Sequence, residues 1–185
     1  SAPVGTRILG AGKLTGKLTP TVNFGSMLAV TRREFADYTT SGVKGRQELE
    51  PLSYHRVLRG LKEFKDRRQG LGGMALYTQR DFEDPSLKNQ LNASSFVGAV
   101  DGWTFLDRTK TWVISGWSAM THLTGTSAQM TSVQTSRLHY LQRPDAGHVE
   151  VDPNATSLTG FGSRYWLNKQ KGSWICNAAL GFMDP

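Results

Sequence analysis

Apolar residues in this chain recur with a period of two over unusually long stretches, and few folds accept that pattern. In "TVNFGSMLAV", Val22, Phe24, Leu28 and Val30 fall on one side of an extended backbone, and Asn23, Gly25, Met27 and Ala29 on the other. "TGFGSRYWLNK" sets Phe161, Tyr165 and Leu167 against Gly160, Gly162, Arg164 and Asn168. "GSWICNAALGF" sets Trp174, Cys176, Ala178, Leu180 and Phe182 against Ser173, Asn177 and Gly181. Weaker versions cover residues 6–18, 53–65, 69–81, 94–106 and 110–122. In 53–65 and 110–122 both faces are mixed, so the pattern leaves their parity open. The count is about eight strands, each about 10–13 residues long, against a usual mode of ~5–6 in globular domains. A tilted strand needs ~9–11 residues to cross a bilayer.

The connections point the same way. "KDRRQG", "DRTK" and "NKQKGS" are tight, whereas 35–52 and 123–157 are long. Short turns at one end and long loops at the other describe an outer-membrane barrel. Gly10, Gly12, Gly16, Gly72, Gly73, Gly160 and Gly162 sit inside strand patterns. Interior glycine weakens a soluble strand but permits the curvature a barrel wall requires. Phe35, Tyr38, Phe64, Trp103, Phe105, Trp112, Trp166, Trp174 and Phe182 fall near strand ends, where interface girdles place them. Residues 126–142 break the alternation, and Met130, Val133, Arg137, Leu138 and Leu141 have roughly helical spacing. The expected fold is therefore all-β: an antiparallel outer-membrane-type β-barrel, or an arc of one, of about eight long strands with one short helical loop. Residues 1–185 read as a single domain.

Bulk properties bound the partners. Lys+Arg number 22 against Asp+Glu 15, a net charge of +7, which suits an anionic partner. The basic residues are scattered singly, as in Arg7, Lys13, Lys17, Arg56, Arg59, Arg80 and Arg164, rather than gathered as nucleic-acid binders gather them. No nucleic-acid partner is expected. The one run, "KDRR" at 65–68, reads as a solvated turn between strands. The single cysteine, Cys176, allows no disulfide within the chain and no thiolate zinc cluster. No apolar run approaches the ~18 residues of a spanning helix. No signal peptide is visible at "SAPVGTRILG"; an exported protein would start after processing, or this chain would lie within a longer one.

The segment richest in chemistry is "SRLHYLQRPDAGHVEVDP", 136–153. It offers no nucleophile elbow. His139 and His148 lie nine apart, a spacing that fits neither a helical nor a strand pair of zinc ligands. The glycine-rich "GAGKLTG" and "GLGGM" lack the spacing of a phosphate loop. No cofactor, metal or catalytic residue is expected. The segment reads as a polar connection in which His139, Tyr140, Gln142, Arg143, Asp145 and Asp152 are structural or ligand-contacting, with Arg137, Arg143, Asp145 and Asp152 tying it down through charge-assisted hydrogen bonds. Asn23, Arg164, Asn168 and Asn177 are the expected lumen-facing polar residues.

Taken in order, "TRILGAGKLTGKL", "LAVTRRE", "LGGMALYTQRDF", "DGWTFLDRTKTWVISG", "HYLQRPD" and "DPNATSLTGFGSRYWLNKQKGSW" resemble a bacterial domain of unknown function. That domain forms the C-terminal part of proteins that begin with a family-9-like carbohydrate-binding domain. The resemblance covers nearly the whole chain and implies an outer-membrane barrel in Gram-negative bacteria with no assigned activity. It also implies that this chain is an internal part of a longer barrel and lacks the carbohydrate-binding domain.

Three functions are weighed. The first is a non-enzymatic barrel segment serving as channel, receptor or assembly scaffold in the bacterial outer membrane. Its partners would be lipid or detergent, the remainder of a longer barrel or other membrane proteins, and acidic glycans attracted by lumen Arg and Lys, unless these pair with Glu63, Asp101 and Asp184. The second is a soluble carbohydrate-binding module using Trp103, Trp112, Trp117 and Trp166 as sugar platforms. The third is a metal-assisted hydrolase using the 136–153 segment.

Overall fold

Long alternation gives long strands. A computed structural model describes residues 6–137, 147 and 149–184. It contains β1 (Ile8–Thr19), β2 (Val22–Thr31), β3 (Glu34–Thr40), β4 (Val43–Glu50), β5 (Leu52–Phe64), β6 (Gln69–Asp81), β7 (Ser94–Phe105), β8 (Trp112–Thr124), α1 (Ser127–Gln134), β9 (Ser157–Lys169) and β10 (Cys176–Met183). Eight strands form one antiparallel sheet in the order β1-β2-β5-β6-β7-β8-β9-β10, and β3 and β4 form a separate hairpin. The eight are 12, 10, 13, 13, 12, 13, 13 and 8 residues long. The fold is all-β as expected. The sheet is open: β1 and β10 do not pair with one another, so the described residues form no closed barrel.

Each strand pairs with its neighbour in the sheet, so the turns alternate in size along the chain. The links β1–β2, β5–β6, β7–β8 and β9–β10 are short and lie at one end. The links β2–β5, β6–β7 and β8–β9 are long and lie at the other, together with the start of β1 and the finish of β10. Short and long thus segregate by end. One long link departs from expectation: 35–52 is not a loop but carries the β3–β4 hairpin. Its two-residue turn, Ser41-Gly42, has positive φ at both positions (51° and 80°), the twist that a tight hairpin needs. The helix is also shorter than the 126–142 stretch suggested. It starts at the Thr126 cap, whose Oγ1 accepts from the Gln129 amide at 3.2 Å.

Register sorts the side chains into two faces. One row runs Phe24, Gly60, Gly73, Val100, Ser118, Ser163, Phe182. The next runs Gly25, Arg59, Met74, Ala99, Ala119, Gly162, Met183. The first face, followed along the strands, gathers Leu14, Leu28, Val30, Leu58, Leu71, Ile114, Met120, Phe161, Tyr165, Leu167 and Leu180; we call it the apolar face. The second gathers Lys13, Lys17, Asn23, His55, Arg59, Arg80, Asp101, Arg164, Asn168 and Asn177; we call it the polar face. The two mixed stretches are thereby assigned. In β5, Tyr54, Leu58 and Phe64 share the apolar face with Arg56 and Lys62. In β8, Trp112, Ile114 and Met120 share it with His122.

Neither face is covered by a second layer along its length. Among the described residues the buried apolar side chains are few, Pro51, Leu87, Val113 and Met130, while Leu58 is 50% exposed, Val100 57% and Leu180 78%. The sheet is held by its ladders and by cross-strand fitting. Three aromatic rings lie over the glycine directly opposite: Tyr165 over Gly116, Trp103 over Gly70 and Tyr38 over Gly45. A Cβ on Gly116 would stand 2.3 Å from Tyr165 Cδ1 and 2.9 Å from the Arg164 carbonyl oxygen, so only hydrogen fits there.

Candidate binding face

The polar face is where charge, amides and indoles converge. Arg59 on β5 reaches across β6 to Asp101 on β7 and donates twice to its carboxylate, with Nη2 to Oδ2 at 2.7 Å and Nη1 to Oδ1. Its path lies over Gly72, where a Cβ would meet the guanidinium at 2.7–2.9 Å. The acids expected to neutralise the face do so in part. Asp101 takes Arg59, and Glu63 takes Arg67 from the neighbouring turn at 3.4 Å. Among the described residues Lys13, Lys17 and Arg164 have no ion-pair partner. The face is left with surplus positive charge.

Asn23, Arg164, Asn168 and Asn177, expected to share one orientation, do share this face. Asn23 stands on β2 beside Lys17 and Leu61. The other three form a strip along β9 and β10. Arg164 is exposed and lies 5.2 Å from the Trp166 ring, a cation–π distance. Its cross-strand partner on β8 is Trp117. Further along, Asn177 Nδ2 donates to Asn168 Oδ1 across the pair. Small residues flank the strip: a Cβ on Gly162 would lie 3.6 Å from the Trp117 ring, and one on Gly181 3.6 Å from Arg164 Cγ. The four tryptophans weighed as sugar platforms are divided between the faces. Trp103, Trp117 and Trp166 belong to the polar face and Trp112 to the apolar face.

At the long-loop end, α1 folds over the polar face. Val133 and Gln134 close a cavity of about 430 Å³ with Trp117, Leu123, Leu158 and Met183. Gln134, 2% exposed, fixes the helix to the following segment, donating to the Asp152 carbonyl and accepting from the Asp152 amide, both at 2.9 Å. Thr126 donates to Asn89 Oδ1 at 2.8 Å, tying α1 to the β6–β7 link.

Of the distinctive 136–153 segment, His139, Tyr140, Gln142, Arg143 and Asp145 lie outside the described residues. Asp152 is described. Its Oδ1 accepts from the Asn154 amide at 2.8 Å, so its carboxylate closes its own turn. Arg137 makes no ion pair among the described residues. His55 bonds Thr78 on the polar face and His122 bonds Thr159 on the apolar face. Among the described residues no three His, Cys, Asp or Glu side chains are grouped to hold a metal.

An ionic cluster of one arginine and three carboxylates lies between two long links and gave no signal in the sequence. Glu48 of β4, 1% exposed, accepts from the amides of Glu83 (2.9 Å) and Asp84 (2.7 Å) through Oε2. Its Oε1 lies 2.8 Å from Arg33 Nε. The same guanidinium donates to Asp81 and Glu83 at 3.1 Å each. Burial disfavours the Arg33 charge, but the carboxylates of Glu48, Asp81 and Glu83 outweigh it, so its pKa is raised. This cluster clamps the β3–β4 hairpin to the β6–β7 link, with Arg33 Nε and Glu48 Oε1 held as an ion pair without a hydrogen bond between them.

No protein-family model, curated protein or solved structure matches the chain. No helix of the described residues is long and apolar enough to cross a membrane, which says nothing of crossing by strands.

Proposed function

We propose that this chain forms part of the wall of a bacterial outer-membrane β-barrel and works without catalysis, as channel, receptor or assembly scaffold. The observation that carries the reading is the sorting of side chains over eight long strands. One face carries most of the sheet's exposed large apolar side chains, interrupted by Arg56, Lys62 and His122, and the other carries more of the charges and amides, with few buried apolar side chains among the described residues. Each large apolar side chain left in water forgoes ~1.5–3 kcal/mol that burial would supply. Water-soluble monomers rarely expose so broad a patch. A bilayer supplies the missing cover, and the seven strands of 10–13 residues match its thickness. Hydrocarbon tolerates no bare sheet edge. The free edges of β1 and β10 therefore call for pairing with the remainder of a longer barrel or with another membrane protein.

A parity scan tests this. Cys176 is replaced by Ser, and single cysteines placed along β5 and β7 carry a fluorophore in lipid vesicles containing a lipid-phase quencher. Strong quenching at 58, 98 and 100 with weak quenching at 57, 59 and 99 is expected. Uniform weak quenching, together with a monodisperse chain in detergent-free buffer, would sink the membrane reading in favour of a soluble module.

A further inference from the structure

From the strip Trp117–Arg164–Trp166–Asn168–Asn177 we infer that the polar face binds an acidic saccharide. The inference takes this face as the solute-facing side of the wall and rests on that reading. The binding it requires is measurable in detergent, without a bilayer.

Four features carry it. Arg164 is an exposed guanidinium with no carboxylate partner among the described residues, so its two-pronged donor edge is open to a carboxylate or sulfate. Trp166 lies 5.2 Å from it and Trp117 opposite it. Two rigid apolar surfaces thus flank one charge, suited to a ring with an apolar side and an ionised substituent. Gly181, opposite Arg164, leaves the β10 side of the strip without a side chain, while Gly162 and Trp117 lie in the cavity that α1 closes. Beyond Trp166 the strip continues into the paired amides of Asn168 and Asn177, which suit hydroxyl groups. Arg164 to Asn168 is about 13 Å along the strand, a length for several linked rings rather than a single ion. Unpaired Lys13 and Lys17 on the same face add long-range attraction for anions. A neutral saccharide would leave Arg164 unused, and a bare anion would leave both indoles and both amides unused.

Isothermal titration calorimetry of the full chain in detergent tests the inference, with tetragalacturonate as the acidic probe and galactotetraose and inorganic phosphate as comparisons. Tetragalacturonate should bind at least about tenfold tighter than either, the scale of one charge-assisted hydrogen bond. Arg164→Gln should remove that advantage and leave the neutral sugar unchanged, and Arg164→Lys should restore part of it. Trp166→Ala should weaken both saccharides. Circular dichroism of each variant confirms that the sheet is kept. Equal binding of acidic and neutral probes, phosphate binding as tightly as tetragalacturonate, or no effect of Arg164→Gln in a folded chain would overturn the proposal. Vesicle insertion without saccharide binding removes this inference alone. Saccharide binding without insertion removes the barrel and keeps the strip.

Discussion

Arg59 and Asp101 sit two strands apart and meet only because the strand between them carries glycine at the crossing point. Gly72 and Gly73 are sequence neighbours on opposite faces, and they should respond oppositely to the same change. Gly72→Ala puts a methyl against the guanidinium and forces it off Asp101. With both partners about one third exposed, the cost should be no more than about 1 kcal/mol. Gly73→Ala meets only the Ala99 carbonyl at 3.9 Å and should be neutral or stabilise by up to about 1 kcal/mol, as less flexible unfolded chains do. Paired denaturant titrations in detergent compare the two.

Gly116 is less forgiving. Its added methyl would collide with the Tyr165 ring and with backbone, and backbone cannot swing aside. Gly116→Ala should cost about 1–3 kcal/mol through overpacking. Tyr165→Phe keeps the ring over Gly116 and loses only the 2.6 Å hydrogen bond to Ser118 Oγ, about 1 kcal/mol. If the two variants melt together, the ring-over-glycine fit is not what holds β8 to β9.

Breaking the clamp at Glu48 should open the long-loop end without dissolving the sheet. Glu48→Ala leaves two amides without their acceptor and Arg33 with Asp81 and Glu83 alone, a loss of about 1–3 kcal/mol. Hydrogen exchange should rise sharply at the Glu83 and Asp84 amides and along β3 and β4, while β6 and β7 stay protected. Global unfolding, or no change at those two amides, would contradict the clamp.

How much of this was legible in the sequence depended on what each residue advertised. Val22, Phe24, Leu28 and Val30 announced both a strand and its face, because their parity carries four large apolar residues and the other only Met27 and Ala29. The β3–β4 hairpin was missed because both its faces are largely polar; the signal present was Ser41-Gly42, a two-residue turn flanked by Thr40 and Val43. The Arg33–Glu48 clamp joins residues far apart in sequence whose types are common everywhere, so nothing marked them as partners. Arg164, Asn168 and Asn177 were legible as one face from alternation alone. That Trp117 stands beside them required the β8–β9 register, which a single strand's pattern cannot supply.

Asp107 offers a pH test at the short-turn end. Its carboxylate accepts from the Thr109 hydroxyl and from the Thr111 and Trp112 amides (2.8–3.0 Å), which hold its pKa well below the usual carboxylate range. A lowered folded-state pKa stabilises fully above the unfolded value of ~3.9 and is lost as pH falls through the folded one. The turn at 106–111 should therefore hold down to pH values where ordinary aspartates have protonated, then loosen. In Asp107→Asn that acid step should vanish. Carboxyl-resolved NMR titration reads both, and an Asp107 midpoint near that of free aspartate would refute the account.

The start of β1 and the finish of β10 both arrive at the end of the sheet that carries the β3–β4 hairpin and α1. Sidedness is thereby wired into the strand count. In the membrane wall proposed above, an epitope tag joined before residue 6 and another joined after residue 184 would surface in the same compartment as the long loops, and a protease that reaches one should reach the other. A tag inserted at 65–68 would report from the opposite compartment. Three antibody-accessibility measurements on intact cells would therefore orient the whole wall.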